Sequence, residues 1–387
     1  MTQSCRSKKF RRLLRESHLS QGNYIFHPYC QLFQYGCNNA NQTERHLLGE
    51  GASGRHNRRR QWYVTQASSY PTKPRALTSR RVSSKWCEQQ LIIIGLGLAI
   101  ASALYQNGAE RVYLLGRRRE VLEKAVTDLQ TNVPRESQTA GTLHALPCDV
   151  TNLSSLKAAA ESIKKDIGYV DVLINNAGVI GPKNGADIYK AESIQQLSDT
   201  MVAGWDDWKS AMAINTQSVI GVSATFLPLL EAANTRRGWT PGKVTGTGNA
   251  RARDTSTSTT NGIDPDDDRM AHIITVASVA SYMRWVSAGL AYNASKAAAA
   301  HLGKMMATFL SEWGIRSNIV CPGPYPSDMT AGLNPVYGTN QIPQGRMGGI
   351  NDISGLMLFL VGKGGAYVNG TSHLTDGGRT GVFPAVY

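Results

Sequence analysis

The sequence predicts an α/β fold: a doubly wound parallel sheet of the Rossmann-like kind, behind a basic and disordered N-terminal region. Three observations predict it. From Leu91 onward, short apolar runs alternate with helical stretches. The runs are continuously apolar rather than alternating, as strands covered on both faces of a parallel sheet are. Composition also changes abruptly: residues 1–90 hold 16 Lys/Arg against 4 Asp/Glu, whereas 91–387 hold 25 against 24.

Nearly all of the net charge of +13 therefore sits in the first quarter of the chain. The basic balance says nothing about a nucleic-acid surface on the main domain. Residues 1–88 are rich in Arg, Ser, Asn and Gln and show no sustained period of 2 or 3.6, the pattern of a solvated extension. They lack the regularly interleaved aromatics of a nucleic-acid binder, so none is expected as a partner. The first fifteen residues are basic and free of acids, which suits either a mitochondrial-type transit peptide or a tail with no address. Cytoplasmic placement is the expectation, mitochondrial the alternative. Cys5, Cys30, Cys37, Cys87, Cys148 and Cys321 form no C-x-x-C and have no His at metal-ligand spacing, so free thiols and no metal are expected. No run reaches the roughly 18–20 apolar residues that cross a bilayer.

The domain, 89–387, reads in order. "LIII" (91–94) is a strand followed by a helix at 98–107. "RVYLLG" (111–116) precedes a helix at 119–130, and "TLHALPCD" (142–149) one at 153–166. "VDVLINNAG" (170–178) precedes a long helix at 205–230, "HIITVAS" (272–278) one at 291–313, and "RSNIVCPG" (316–323) one at 351–360. Two stretches break the rhythm. Residues 235–270 are rich in Gly, Ser, Thr and Asp and read as an inserted surface loop; 181–203 is a milder extension. Both, with the segment after Pro322, are expected to shape a substrate pocket.

The chemistry concentrates in a few places. "AYNASKAAAAHLGKMM" (291–306) puts Tyr292 and Lys296 one helical turn apart on one face. A free tyrosine titrates near pH ~10, and a neighbouring ammonium would favour its phenolate and bring that value down. "IITVASVAS" (273–281) is a buried strand ending in Ser278, at the carboxyl end where open α/β sheets bind ligands. Ser281, three residues on, is a rival for the same role. "LINNAGV" (173–179) runs a strand into two amides and a glycine turn, and Asn215 sits in the helical "AMAINTQSV".

In this order, at the ends of successive strands, these elements resemble the short-chain dehydrogenase/reductase family, over residues 91–380. The resemblance implies a catalytic tetrad. Tyr292 is the general acid in reduction and the base in oxidation. Ser278 hydrogen-bonds the substrate oxygen. Lys296 lowers the tyrosine pKa and, with Tyr292, meets the nicotinamide ribose. Asn215 anchors a water that relays the proton. The resemblance further places Asp149 and Val150 against the adenine, Asn176 of "NNAG" at the cofactor, and Pro322 and Gly323 at the turn covering the nicotinamide. "YVNGTSHLTDGG" (367–378) matches the last strand. The serine-to-tyrosine spacing and "PGPYPSDMT" look closest to the rhamnolipid-type 3-oxoacyl-acyl-carrier-protein reductases. Homo-oligomers, built through helix pairs, are implied as well.

Arg117, Arg118 and Arg119 follow the second strand, where arginine suits the 2′-phosphate of NADP(H) by charge-assisted pairing; a basic surface helix start is the other reading. The first glycine motif is incomplete. The family pattern is T-G-x-x-x-G-x-G; Gly95, Leu96 and Gly97 match its end, but the preceding Thr-Gly-x-x-x is absent. Nor does G-x-G-x-x-G fit, since Ile100 stands where its third glycine packs helix on strand. Either the loop is short and cofactor binding weak, or an unrelated N-terminal region is joined near residue 90 to a normal enzyme. The expected function is hydride transfer between NADP(H) and a carbonyl or alcohol, 3-oxoacyl thioesters included. The alternative is a non-catalytic scaffold.

Overall fold

The computed structural model describes residues 95–132, 141–246 and 248–386. The extension 1–88 and the strand expected at 91–94 lie outside the described residues. The chain opens with α1 (Leu96–Gln106), β1 (Arg111–Gly116), α2 (Arg119–Asn132), β2 (Thr142–Pro147), α3 (Leu153–Asp166) and β3 (Val172–Asn175). Two short helices follow in the first extension, α4 (Gly185–Ile188) and α5 (Ile194–Val202). Next, α6 (Asp207–Met212) passes through one π turn, Ala213–Gln217, into α7 (Ser218–Arg236). Then come α8 (Thr255–Thr260), β4 (His272–Val276), α9 (Leu290–Phe309), β5 (Arg316–Pro322), α10 (Ile350–Val361), β6 (Ser372–Thr375) and α11 (Arg379–Val382).

All strand pairings are parallel. β1 pairs with β2, and β3, β4, β5 and β6 form a sheet in that order. In a doubly wound sheet the first strand stands between the second and the fourth. Here those neighbours are β1 and β3, which do not pair with each other. The described strands thus follow the order of the expected doubly wound sheet on either side of that gap.

Both faces of the larger sheet are covered, which explains the continuous apolar runs. One layer packs Ala99 and Ile100 of α1 with Ile353, Met357 and Leu360 of α10 against Ile274, Val276 and Val320. The other packs Leu156 and Ile163 of α3 with Phe226 and Leu230 of α7 and Met306 of α9 against Ile273. Ile100 lies where the sequence reading put it. It is 2% exposed and fills the core under β4 and β5, so a bulky side chain stands where G-x-G-x-x-G would need its third glycine. The helical segment Asp207–Arg236 is long and apolar enough to cross a membrane by composition alone. Its apolar face is spent on the core, through Val219, Val222, Phe226 and Leu230.

The 235–270 segment is a surface excursion with structure of its own. Arg237 donates to Asp171 (2.7 Å) and Asp267 (3.0 Å), and Arg253 donates to the Asp267 carbonyl at 2.7 Å. Asp254 caps α8 by accepting from the Ser256 amide at 2.9 Å. Asp171 and Asp267 flank the amino ends of β3 and β4. This insert is thus tied to the end of the sheet opposite the candidate site, and the expectation that it shapes the pocket is corrected. The extension 181–203 does lie at the site end, since it follows the carboxyl end of β3.

Candidate active site

The carboxyl ends of β3, β4 and β5 gather most of the residues singled out in the sequence. Ser278 leaves β4 in extended conformation and caps a short 3-10 turn, Val279–Ser281, by accepting from the Ala280 amide at 3.2 Å. This places its hydroxyl against that of Tyr292 in the first turn of α9. Ser281, the rival, turns its hydroxyl into the protein, where it is buried without a partner among the described residues.

The surroundings of Tyr292 differ from those that the Tyr-Lys spacing suggests. Burial holds the phenol above its ordinary value, and only the hydrogen bond with Ser278 pulls the other way. The reason lies in where Lys296 points. Its ammonium is buried and donates to the Val276 carbonyl at 2.9 Å. Burial depresses that ammonium to about 8, opposed by the nearby Cys321. The helical spacing brings the two residues to one site, but the amine is committed to the end of β4.

Asn215 is 1% exposed, inside the π turn between α6 and α7. A π turn widens the helix locally, and such turns recur at functional sites. The amide spends both N–H groups on protein: on the Val179 carbonyl (2.8 Å) and on Ser295 Oγ (2.9 Å). Its oxygen accepts from the Val179 amide at 2.8 Å. The side chain therefore pins the loop after β3 to α9, and only the second lone pair of its oxygen is left for a water. Ser295, missed in the sequence reading, completes this pin by donating to the Tyr292 carbonyl at 3.0 Å. Its signal was present, a hydroxyl inside the Y-x-x-x-K stretch, but small residues there also read as helix packing. Gly178 is needed for the same closeness: a Cβ on it would stand 3.2 Å from Lys296 Nζ and 3.3 Å from Asn215 Oδ1.

The residues expected to hold a dinucleotide surround this centre. Gly95 is the N-cap of α1 and offers no side-chain cap, so among the described residues nothing caps the first amides, on Leu96 and Gly97, which could meet an anion. Gly97 lies so close to Asn176 that a Cβ would come within 2.6 Å of its amide nitrogen. Arg117 is exposed just past β1, in the field of Asp149. The Asp149 carboxyl is held low by the Thr151 hydroxyl (2.7 Å) and amide (2.9 Å), and further by Arg117. Val150 packs partly on the core. Pro322 ends β5, and Gly323 follows where a Cβ would meet the Asp376 backbone at 2.8 Å. Asn175, buried beside Asn176, keeps one side-chain oxygen without a partner among the described residues. Helix amides without a cap among the described residues, a glycine cradle and an exposed arginine fit a phosphorylated dinucleotide.

Comparison with known proteins agrees with this geometry. A short chain dehydrogenase profile matches residues 93–238, and an Enoyl-(Acyl carrier protein) reductase profile matches 263–380. The interval between them falls in the insert. The short-chain dehydrogenase/reductase SAT3 of Stachybotrys chartarum is 33% identical over 298 residues, spanning 74% of this chain and 100% of that protein. PhomF of Diaporthe leptostromiformis is 32% identical over 302 residues, 76% of this chain and 90% of the relative. The rhamnolipids biosynthesis 3-oxoacyl-[acyl-carrier-protein] reductase of Pseudomonas aeruginosa is 28% identical over 289 residues, 73% and 91%. The expectation that the rhamnolipid-type reductases are the nearest branch is corrected: that protein is similar, but at lower identity than these fungal proteins. Among solved structures, the Pseudomonas aeruginosa RhlG/NADP active-site complex superposes with a TM-score of 0.54 at 26% identity, covering 74% of this chain and 92% of that one. The chain belongs to the short-chain dehydrogenase/reductase family, NAD(P)-dependent oxidoreductases that interconvert carbonyls and alcohols.

Proposed function

We propose that this chain is an NADP(H)-dependent carbonyl reductase in which Tyr292 is the general acid. The observation that carries the reading is the convergence of Ser278, Tyr292 and Lys296 at the carboxyl ends of β4 and β5, beside Asn176 and the amino end of α1. A bound nicotinamide dinucleotide supplies the hydride. The protein's part is to hold the substrate oxygen and give it a proton. Ser278 and Tyr292 both present hydroxyls where a carbonyl oxygen can accept two hydrogen bonds. Tyr292 stands above its ordinary pKa, so it is protonated at neutral pH and ready to donate as negative charge develops on that oxygen. Asn215 and Ser295 keep the α9 turn and the loop after β3 in fixed relation.

Arg117 supports NADP(H) over NAD(H), because it is exposed beyond β1 where the adenosine ribose lies in such folds. A 3-oxoacyl thioester is supported as substrate only by the 28% identical Pseudomonas aeruginosa protein. Homo-oligomerisation is supported by exposed apolar side chains on the long helices, Ile220 on α7 and Met305 and Phe309 on α9. The scaffold reading is favoured by a different observation, the missing Thr-Gly-x-x-x before Gly95.

The test is NADPH consumption with a ketone panel that includes acetoacetyl-coenzyme A, for the parent and Tyr292→Phe. The Phe variant should fold normally and lose roughly 10²- to 10⁴-fold in turnover. Equal turnover by both proteins would remove Tyr292 from the chemistry.

A further inference from the structure

Three segments at the carboxyl end of the sheet each bring one aromatic ring to the same place. Tyr189, from the extension after β3, stacks on Trp285, from the segment between Ser278 and Tyr292; the ring centroids are 3.7 Å apart and the planes 1° from parallel. Phe383, in the tail after α11, tilts against Trp285 at 6.1 Å and 52°. Arg379 lies over the Phe383 ring at 4.2 Å. The row is fastened by main-chain bonds. The Val286 amide donates to Tyr189 Oη at 2.8 Å, the Arg284 amide to the Pro384 carbonyl at 2.8 Å, and the Val386 amide to the Tyr282 carbonyl at 2.9 Å. Asn293, the residue after Tyr292, donates to the Trp285 carbonyl at 3.4 Å, so the segment that carries Trp285 lies against the first turn of α9, next to Tyr292 in sequence.

This arrangement is not core packing. Tyr189 remains 43% exposed and Trp285 38% exposed, although each is ordered by a ring neighbour and a backbone bond. Apolar, rigid surface has thus been assembled at the ligand end of the sheet, from segments far apart in sequence. We infer that the Tyr189–Trp285–Phe383 row is the substrate-selecting wall, and that it favours carbonyl compounds whose bulk is a flat, fused-ring or aromatic system over those with a flexible straight chain. The inference rests on the carbonyl-reductase reading for the reaction and adds the class of substrate. Ring–ring contacts add affinity beyond their buried area, about two- to tenfold for each pair. A straight chain lacks that gain and loses rotamer freedom on binding.

Two ketones of equal carbon count, 2-tetralone and 2-decanone, test it on the full chain. Binding is read by ligand-observed NMR without cofactor, and turnover by NADPH consumption. The parent should bind 2-tetralone about tenfold more tightly than 2-decanone. Trp285→Ala and Phe383→Ala should each bring that ratio towards parity, with the NADPH dissociation constant and melting temperature near those of the parent. Trp285→Phe should keep most of the preference. If Trp285→Ala fails to fold, Phe383→Ala in the tail gives the same comparison. Absence of a preference in the parent, or a preference that survives both alanine variants, overturns the wall. Preferred binding of 2-tetralone through these rings with no turnover of any ketone would leave the wall standing and remove the reductase reading instead. Preferred turnover of 2-decanone would do the reverse.

Discussion

Lys296 shows at the scale of one residue how this site trades stability for chemistry. A buried ammonium costs free energy because protein offers less solvation than water, and here one carbonyl partner offsets only part of that. The value of about 8 in the folded protein lies below the ordinary 10.5, so the folded state binds this proton more weakly than the unfolded one. Below pH 8 both states carry the charge and the folded state bears the full cost. Between about 8 and 10.5 the folded state has shed the proton while the unfolded state still holds it, so stability rises with pH. Above 10.5 neither state is charged and the cost is gone. Lys296→Met should therefore be more stable than the parent at pH 7, by up to about 3 kcal/mol, and the advantage should vanish towards pH 10.5. Urea unfolding of both proteins across that range checks it; an advantage independent of pH would mean that burial of the charge is not its source. The existence and helical spacing of this pair were legible in the sequence. The direction of the amine was not, because Val276 lies twenty residues earlier and joins the site only through the strand.

At the scale of elements, the stretch Asp207–Arg236 was readable as a long helix, but not the π turn within it. Apolar periodicity reports which face is buried; it does not report where a helix gains one residue in a turn. That extra residue lets the Asn215 amide reach Val179 and Ser295 together. Asn215→Ala would leave the Val179 amide and carbonyl without their partner and cost about 2–4 kcal/mol, since a stranded buried polar group loses more than the net worth of its bond. The variant should melt several degrees lower. Its turnover should fall as well, because the loop that carries Asn176 and Gly178 is then no longer pinned to α9. Thermal unfolding and turnover together check this: unchanged melting would show that the loop holds without the amide. That the insert was expected at the pocket and lies at the other end of the sheet has the same explanation. "GTGNARARDTSTSTTNG" reads as surface, but its place depends on Arg237 pairing with Asp171, 66 residues earlier in the chain. Such long-range charge pairing leaves no local pattern.

At the scale of the whole molecule, the cofactor reading turns on one short stretch of sequence. Among the described residues β1–β2 and β3–β6 form two parallel sheets, and the run read from the sequence as a strand, 91–94, lies outside them, immediately before Gly95. Beyond Gly95 the residues expected to meet a cofactor lie at the same end of the sheet: the start of α1, the close pass of Gly97 over Asn176, the exposed Arg117 and the Ser278–Tyr292 pair. Before it, the residues that in related proteins turn the chain and donate amides to phosphate are missing from the sequence. Each lost hydrogen bond to a charged oxygen is worth about 1.5–3 kcal/mol. Two such losses weaken binding by roughly two to four orders of magnitude. Inserting Thr-Gly-Gly-Ser-Ser between Ile94 and Gly95 rebuilds T-G-x-x-x-G-x-G with Gly95 and Gly97 in register, and lengthens the passage from strand to helix. The parent should bind NADPH weakly and the repaired chain should recover most of that difference, with NADPH preferred to NADH through Arg117. Titration of NADPH fluorescence on both proteins measures it. Submicromolar binding by the parent would show that "IIIGLG" is itself a working cradle, the uncapped amides of α1 being enough. A repaired chain that still fails to bind would place the defect beyond the loop and favour the scaffold reading, in which the Ser278–Tyr292–Lys296 arrangement persists without a dinucleotide to serve.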